Sequence, residues 1–277
     1  MTLSFFTSDG DALAPSDLAR SLWSQDQMHG VALSGAMARS LEAAVAELGR
    51  PELRPARYTL DLFRAARMQP CRTTTRVVRE GRRLCLVDTV LEQGGEPVAR
   101  ASGLFLQPSE PAPGAVWQPD EEFSPPPLEM APVSEEPRVP LFSSEERGWT
   151  TSFGDHQNGQ RKMTWQTGMP VLPGEDPSPF VSAASVADAT SMVTNWGSGG
   201  VEHINTDVTL TLARLPQTRE IGLAAVDRVS SEGIAAGVAA MFDRQGRVGS
   251  VVVSSLANTK RSIDFAEHDF SDDPRGA

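Results

Sequence analysis

One carboxylate stands out in residues 186–216 because almost all of its neighbours are apolar or small. Asp188 is the only charged residue of FVSAASVADATSMV, a stretch that is apolar or small around its whole circumference, as in a buried helix. Burial raises the pKa of a carboxylate toward neutrality, and such an acid suits general-base catalysis. The alternative is a buried acid that only accepts hydrogen bonds from strand amides or hydroxyls.

A polar residue on the strand that follows could share a water molecule with Asp188. Asn205 stands near the start of INTDVTLTLAR, and its side-chain amide could hold the water that the carboxylate activates. The alternative for Asn205 is a local hydrogen bond to its own backbone at the start of the strand.

Two helices would position these groups. Apolar residues recur with the period of one helical face at Leu33, Met37, Leu41, Val45 and Leu48. They predict a helix over residues 29–48. A second helix is predicted over residues 178–195, with Ser178 as its cap and Pro179 in its first turn. Asp188 would then lie two to three turns into that helix.

Strands with alternating patterns follow each helix. The first half offers RYTLDLFRA, CRTTTRVVREG, RLCLVDTVLEQ and PVARASGLFL, and the second half offers INTDVTLTLAR, EIGLAAVDRVSSEG, IAAGVAAMFD and VGSVVVSSL. Shorter strands are predicted before the helices, at LSFF in the first half and near WTTSFGDH and QRKMTWQTG in the second.

The two halves share landmarks at a nearly constant spacing. TLDLFR at residues 59–64 matches TLTLAR at residues 209–214, an offset of 150, and the turn glycines Gly95 and Gly246 differ by 151. Each half therefore has short strands, one long helix and an antiparallel meander. A helix rich in small residues can be wrapped by one curved sheet. The pattern predicts an α+β fold in which a hotdog domain occurs twice, a double hotdog.

The acidic residues are concentrated in two segments outside the repeats. Of the net charge of −11, residues 108–146 carry −8 and residues 261–277 carry −3, so the rest of the chain is neutral. About ten of the 21 prolines fall in the first segment, which predicts an extended linker because proline prevents helix continuation and sheet pairing. Four apolar residues indicate that the linker contacts the body in places: Trp117, Phe123, Leu128 and Leu141.

Composition and motifs argue against several classes of protein. No basic surplus and no RNA- or DNA-reading motif is present, so no nucleic-acid partner is expected. No apolar run reaches the roughly 18 residues of a membrane span, and the first residues lack a signal-peptide pattern.

We interpret Cys71 and Cys85 as reduced and expect a cytoplasmic protein. His156 and His203 share no ligand spacing with each other or with cysteine, so no metal is predicted. The sequence contains no GxSxG, P-loop or dinucleotide motif, so no cofactor is predicted.

Several segments, MHGVALSGAMARSLEAA, RYTLDLFRAA, VVREGRRLCLVDTVLEQGGEPVARASGLFL, ADATSMV and NTDVTLTLARLP, are similar to those of one known family. The sequence resembles acyl-CoA thioesterase II-type proteins, which are double-hotdog thioesterases that act on fatty acyl-CoA. With the repeat, the resemblance predicts four regions. These are an N-terminal hotdog at 1–107, the linker at 108–146, a C-terminal hotdog at 147–260 and a flexible acidic tail at 261–277.

The resemblance implies a thioester hydrolase in which a helix aspartate, a polar strand residue and a last-strand glutamine orient a water for attack. The aspartate falls on Asp188 and the strand residue on Asn205, or on Thr206 if the alignment slips by one residue. The glutamine position falls on Val253, where that side chain is missing. Its polar neighbour Ser254 would point to the opposite face of a regular strand.

The oxyanion that forms on an attacked thioester needs donors, and backbone amides at a helix N-terminus are natural ones. QMHGV begins the first helix, and Gly30 would let the thioester carbonyl approach the backbone. Because the two helices of a double hotdog lie side by side, Gly30 could face Asp188 from the other half. His29 could contact the substrate, although a histidine here is more often a helix cap.

Three functions are compatible with these residues. The leading one is hydrolysis of a fatty acyl-CoA to free fatty acid and CoA, with acyl-CoA as the partner molecule. The second is an acyl-CoA or lipid-binding protein without catalysis, which the missing glutamine favours. The third, a hotdog dehydratase or hydratase, needs a histidine paired with an acid, and none of the four histidines has that setting. Association into a homo-oligomer stays open, because double hotdogs often associate further.

Overall fold

The computed structural model describes residues 3–266, and this range contains three α-helices and eighteen strands. The helices are α1 (Gly30–Glu47), α2 (Pro179–Ala187) and α3 (Thr190–Asn195). The first half contains the strands β1 (Phe6–Asp9), β2 (Ala12–Pro15), β3 (Arg20–Ser21), β4 (Ser24–Met28), β5 (Arg54–Leu62), β6 (Arg72–Glu80), β7 (Leu84–Gln93) and β8 (Glu96–Leu106). The second half contains β9 (Leu141–Ser144), β10 (Arg147–Thr150), β11 (Lys162–Thr167), β12 (Trp196–Gly197), β13 (Gly200–Val201), β14 (His203–Asn205), β15 (Asp207–Leu212), β16 (Glu220–Ser231), β17 (Ile234–Asp243) and β18 (Gly246–Ala257). None of the helices in the described range is long and apolar enough to cross a membrane.

Helix α1 forms where its apolar period predicted it. Its buried face includes Leu33, Met37, Leu41 and Val45. The chain leaves the helix through Gly49, whose φ of +67° is in the left-handed region that favours glycine. The first predicted helix is therefore confirmed.

The second predicted helix begins as expected. Ser178 caps α2 by accepting a hydrogen bond from the backbone N–H of Val181 at 3.1 Å, and Pro179 occupies the first turn. Every residue from Phe180 to Ala187 is buried, so α2 is a fully enclosed helix.

The single helix predicted over residues 178–195 is wrong, because the helix breaks at Asp188. The N–H of Asp188 donates to the carbonyl of Ser185 at 3.4 Å, and that of Ala189 donates to Val186 at 2.9 Å. These are i→i−3 bonds, which tighten the chain between α2 and α3. Asp188 therefore ends α2, at a tightened turn where its short side chain contacts two other elements of the fold.

Twelve antiparallel strands form one continuous sheet. Its order is β10-β9-β11-β16-β17-β18-β15-β5-β8-β7-β6, and β14 pairs with β18. Helix α1 packs on β6, β7 and β8 of the first half, whereas α3 packs on β16, β17 and β18 of the second. One hydrophobic core runs through both halves, with α1 and α2 in contact at its centre. The architecture is the predicted α+β double hotdog.

The internal repeat brings equivalent elements of the two halves into direct contact. β5 pairs with β15, and Thr59 lies opposite Thr209, its counterpart 150 residues later. Where α1 meets α2, the hydroxyl of Ser34 donates to the carbonyl of Ala184 at 2.6 Å, again 150 residues apart. The repeat predicted from the sequence is therefore confirmed at the junction between the halves.

The proline-rich segment between β8 and β9 lies partly on the second half of the molecule. Phe123 stacks on Phe242, with ring centroids 5.5 Å apart, and the guanidinium of Arg244 donates to two linker carbonyls, those of Pro126 and Ala131. Two of the apolar residues expected to pack, Trp117 and Leu128, are exposed, because proline and acidic neighbours keep that chain in water.

The linker predicted over residues 108–146 ends earlier than expected. Residues 141–144 form β9, which pairs with β11, because Leu141 and Phe142 are buried against the second half. Leu141 and Phe142 are too short an apolar run to predict a strand beside the proline-rich segment.

The flexible tail predicted over residues 261–277 is also wrong in its first part. Ile263 forms a bridge with Val201, and Phe265 is buried in an aromatic cluster, so the chain is anchored to the body at these two residues. The rest of the predicted tail, 267–277, lies outside the described residues.

Candidate active site

Asp188 lies where α2, the start of α1 and β14 meet, and its side chain is buried, with 9% of the residue exposed. The side-chain amide of Asn205 donates to Oδ1 at 2.9 Å, and the backbone N–H of Val31 also donates to the carboxylate. Burial raises the pKa of Asp188 from 3.8 to about 6, against these two hydrogen bonds, which lower it. The acid is therefore ionised at neutral pH but binds a proton far more tightly than an ordinary aspartate.

Gly30 provides the space that the Asp188 carboxylate occupies. A Cβ atom added at Gly30 would collide with both oxygens of that group. Because Gly30 is the first residue of α1, the carboxylate lies against the positive end of the helix, which stabilises its charge. The sequence suggested that Gly30 could face Asp188, and the structure brings them together. The helix N-terminus, which the sequence suggested for the thioester oxyanion, therefore binds the Asp188 carboxylate.

His29 serves as the cap of α1. Its Nδ1 accepts a hydrogen bond from the N–H of Ala32 at 3.1 Å, and its Nε2 donates to the carbonyl of Leu18 at 2.8 Å. These bonds fix a neutral imidazole protonated on Nε2. The sequence left open whether His29 contacts the substrate or caps the helix, and the geometry shows the cap.

A β-bulge decides which strand residue faces Asp188. β14 pairs with β18 so that Asn205 lies opposite Ser255, whereas β15 pairs with β18 so that Thr209 lies opposite Val252, a shift of one residue. Asn205 therefore points inward, where it contacts Asp188. Thr206 lies at the bulge and is exposed.

Asp207 holds this bulge in place and is a residue that the sequence analysis missed. Its Oδ1 accepts a hydrogen bond from the backbone N–H of Ser254 at 2.8 Å, while the N–H of Thr206 donates to the carbonyl of Ser254 at 2.9 Å. A side chain thus satisfies an amide that the register shift removes from the ladder. Asp207 thereby fixes the orientation of Asn205.

The last strand carries its buried polar residue at an unexpected position. Val253, where the resemblance placed the missing glutamine, is fully buried, and Ser254 is exposed as predicted. Two residues beyond Val253, Ser255 is buried on the same inner face, and its Oγ accepts a hydrogen bond from the side-chain amide of Asn195 at 3.1 Å. Neither Ser255 nor Asn195 was singled out from the sequence.

A cleft of about 440 Å³ opens at the end of α3. Its lining includes Thr194, Asn195, Trp196, His203, Arg161 and Arg228. His203 stands two residues before Asn205 on the inner face of β14, so the cleft adjoins the strand that carries Asn205. Its volume falls in the range of about 300–1,000 Å³ that is typical of small-molecule sites.

The geometry is suited to removing a proton from a water molecule. A carboxylate has about four lone-pair sites, and the donors from Val31 and Asn205 leave sites for a water. Within residues 3–266, no three His, Cys, Asp or Glu side chains are grouped so that they could hold a metal ion.

Comparison with known proteins agrees with the fold. Residues 19–106 match the family model of the acyl-CoA thioesterase N-terminal domain. Similar solved structures include the TesB protein of Mycobacterium avium subspecies paratuberculosis (TM-score 0.63, 15% identity, covering 91% of this chain and 95% of that chain). The acyl-CoA thioesterase II TesB2 of Mycobacterium marinum is also similar (TM-score 0.59, 14% identity, 83% and 89%). So is a hot dog fold protein of Alicyclobacillus acidocaldarius (TM-score 0.60, 16% identity, 92% and 96%). Among proteins with curated descriptions, none matches the sequence.

The solved structures confirm the hotdog fold, and at 14–16% identity they show the fold alone. The family match covers the half that contributes Gly30 and Val31 to the site. It agrees with the resemblance to thioesterases and supports a thioester hydrolase.

Replacing Asp188 with asparagine is expected to remove a pH dependence from the stability of the protein. Because the pKa of Asp188 is raised from 3.8 to about 6 by folding, its favourable contribution is complete below about pH 4 and is lost as the pH rises through 6. Asparagine keeps the shape without the charge. The difference in unfolding free energy between Asp188→Asn and the wild type should therefore grow by about 2.5 kcal/mol between pH 4 and pH 7.5, measured by urea denaturation.

The matched control is Asp61→Asn on β5, where the carboxylate is half exposed. It reports what the same Asp-to-Asn change does at a half-exposed position. A difference that stays constant with pH for Asp188→Asn would show that the acid is not desolvated.

Proposed function

We propose that this double hotdog, whose residues 19–106 match the acyl-CoA thioesterase N-terminal domain, hydrolyses fatty acyl-CoA to free fatty acid and CoA. Asp188 is the general base in this proposal. The observation that carries it is a buried carboxylate, held by Val31 and Asn205, whose pKa of about 6 lies close to neutrality, as suits a general base. The site is composite, since Gly30 and Val31 belong to the first hotdog and Asp188 and Asn205 to the second.

Asp188 would act on a water molecule beside the thioester carbonyl. As the water oxygen bonds to the carbonyl carbon, Asp188 takes a proton from the water, and the carbonyl π electrons move onto oxygen. Collapse of this tetrahedral intermediate breaks the C–S bond, and the proton passes from Asp188 to the departing thiolate. Asn205 is a positioning residue, because its amide donates to one oxygen of the Asp188 carboxylate and so fixes the orientation of that carboxylate.

A second candidate, binding of acyl-CoA without hydrolysis, is favoured by one observation. Val253 fills its position on the inner face of β18 with a fully buried apolar side chain. A protein of this kind would retain affinity for acyl-CoA while releasing no thiol.

The proposal predicts thiol release from acyl-CoA that depends on Asp188. Wild-type protein mixed with acyl-CoAs of short to long chain length should release CoA, detected with a thiol reagent. Asp188→Asn should lower kcat by about 10²–10⁴-fold, the usual contribution of general-base catalysis. The control variant Asp61→Asn changes a half-exposed aspartate on β5 and should keep wild-type kcat.

Two outcomes would count against hydrolysis. Acyl-CoA binding by the wild type with no thiol release at any chain length would establish the second candidate instead. Release that survives in Asp188→Asn would assign the base to another group.

The bulge predicts that Asn205 and Thr206 differ in their effect on the reaction. Asn205→Ala removes a hydrogen bond that lowers the pKa of Asp188, so the rise of kcat/KM with pH should move above its wild-type inflection near 6. We expect kcat/KM at pH 7 to fall by about 10–100-fold. Thr206→Ser alters an exposed side chain but keeps the hydroxyl that bonds to Asp207 and Ser254, so it should change neither quantity. The pH profile of thiol release measures both, and the reverse pattern would contradict the register of β14.

A further inference from the structure

A chain of three polar side chains runs along the inner face of the second sheet, next to Asp188 and Asn205. The Nε of Arg228 donates to Oδ1 of Asn195 at 3.2 Å, and Nδ2 of Asn195 donates to Oγ of Ser255 at 3.1 Å. An arginine side chain carries donors only, so it fixes the amide with its oxygen toward Arg228 and its nitrogen toward Ser255. The direction of the chain is therefore set by chemistry.

The orientation of the Asn195 amide determines which way the O–H bond of Ser255 points. A hydroxyl has one hydrogen and two lone pairs, and Asn195 occupies a lone pair of Ser255. The hydrogen must point away from Asn195. Since Ser255 is 1% exposed, this donor is withheld from bulk water.

Among the strand neighbours of Ser255, one is polar. On one side its cross-strand neighbour is Ala235 on β17, and along its own strand the inner-face neighbours are Val253 and Ala257. On the other side Asn205 on β14 lies directly opposite, and residues paired in this way have Cβ atoms about 4.5–5.5 Å apart. The Asp188 carboxylate is one hydrogen bond beyond Asn205.

The cleft at the end of α3 adjoins this chain of polar side chains. Asn195 and Arg228 line the cleft, and so does His203, two residues before Asn205. A ligand that fills the cleft therefore contacts Asn195 and Arg228, the two residues that orient Ser255.

We propose that Ser255 is a catalytic residue whose hydroxyl donates a hydrogen bond to the thioester carbonyl oxygen of a substrate that enters through this cleft. Asn195 and Arg228 are its positioning residues. The inference rests on the proposed thioesterase function and adds the donor for the oxyanion. It reassigns that task from the N-terminus of α1, where Val31 and Gly30 are engaged with Asp188.

Ser255 keeps its proton throughout the reaction. When the water oxygen bonds to the carbonyl carbon, the π electron pair moves onto the carbonyl oxygen, and the Ser255 O–H stabilises that charge. The mobile proton passes from the water to Asp188 and then to the thiolate as the C–S bond breaks. Ser255 is not a nucleophile, because Asn195 presents a donor to its oxygen and cannot accept its proton.

The first test is the steady-state hydrolysis of the best acyl-CoA of the panel by Ser255→Ala. Loss of one such donor lowers kcat by about 10²–10³-fold, and KM should change little because the bond strengthens only as the oxyanion forms. Ser255→Thr keeps a hydroxyl and should recover part of the rate. The matched control is Ser250→Ala on the same strand, whose side chain is bonded to Arg247 and should leave kcat unchanged.

The second test reverses the polarity of the chain with Asn195→Asp. An aspartate still pairs with Arg228 but presents acceptors to Ser255, so it should turn the hydroxyl hydrogen away from the substrate. We expect a loss of kcat close to that of Ser255→Ala, and a double variant no slower than either single one. For Ser255→Ala the inflection of the pH profile should stay near 6, because this change adds and removes no charge beside Asp188. A residue with only a structural role would lower the unfolding temperature without this pattern in kcat.

The outcomes separate the inference from the function on which it rests. Wild-type protein that releases no thiol would overturn both. An active wild type with Ser255→Ala within about twofold of its kcat would overturn the role of Ser255 alone and leave Asp188 as the base. If Ser255→Ala fails to fold, Asn195→Asp and Ser255→Thr decide the question, since wild-type kcat in folded Asn195→Asp contradicts the proposal.

Discussion

The contact between the Asp188 carboxylate and the start of α1 is the constraint around which the molecule is arranged. Gly30 must lack a Cβ for the carboxylate to fit, and the N–H of Val31 must point at it. Burial disfavours the charge, while the helix N-terminus and Asn205 favour it, and the balance leaves a pKa of about 6. An acid in this state is ionised at neutral pH and still basic enough to accept a proton from water. The break between α2 and α3 and the bulge at Thr206 both occur where they allow these contacts.

The internal symmetry explains why the two hotdogs would share one site. At the positions 150 residues away from Asp188 and Gly30 stand Ala38 and Phe180, both fully buried. The ring of Phe180 packs edge-on against Tyr58 and Phe105, so the second symmetric position is filled by apolar side chains. One half thus contributes a helix N-terminus and the other an acid, and neither half alone holds the constellation.

Periodicity was enough to predict the fold but not the fine geometry of the site. The apolar face of α1, the strand patterns and the 150-residue repeat are local or self-similar signals, and the structure follows them. The orientation of Asn205 is different, since simple alternation from Val208 would turn Thr206 inward and Asn205 outward. The bulge that reverses this depends on the Asp207 carboxylate and a strand some 47 residues away, and the Asn195–Ser255 contact spans 60 residues. Such long-range pairings leave no pattern in one sequence.

The protonation of Asp188 can be followed directly in the folded protein. Carbon-13 carboxyl resonances of aspartate-labelled wild type and Asp188→Asn, compared from pH 4 to pH 8, identify the Asp188 signal by its absence from the variant. We predict that this resonance titrates with a pKa of about 6. A midpoint near 4, that of an ordinary solvated aspartate, would contradict the buried base on which the proposed reaction depends.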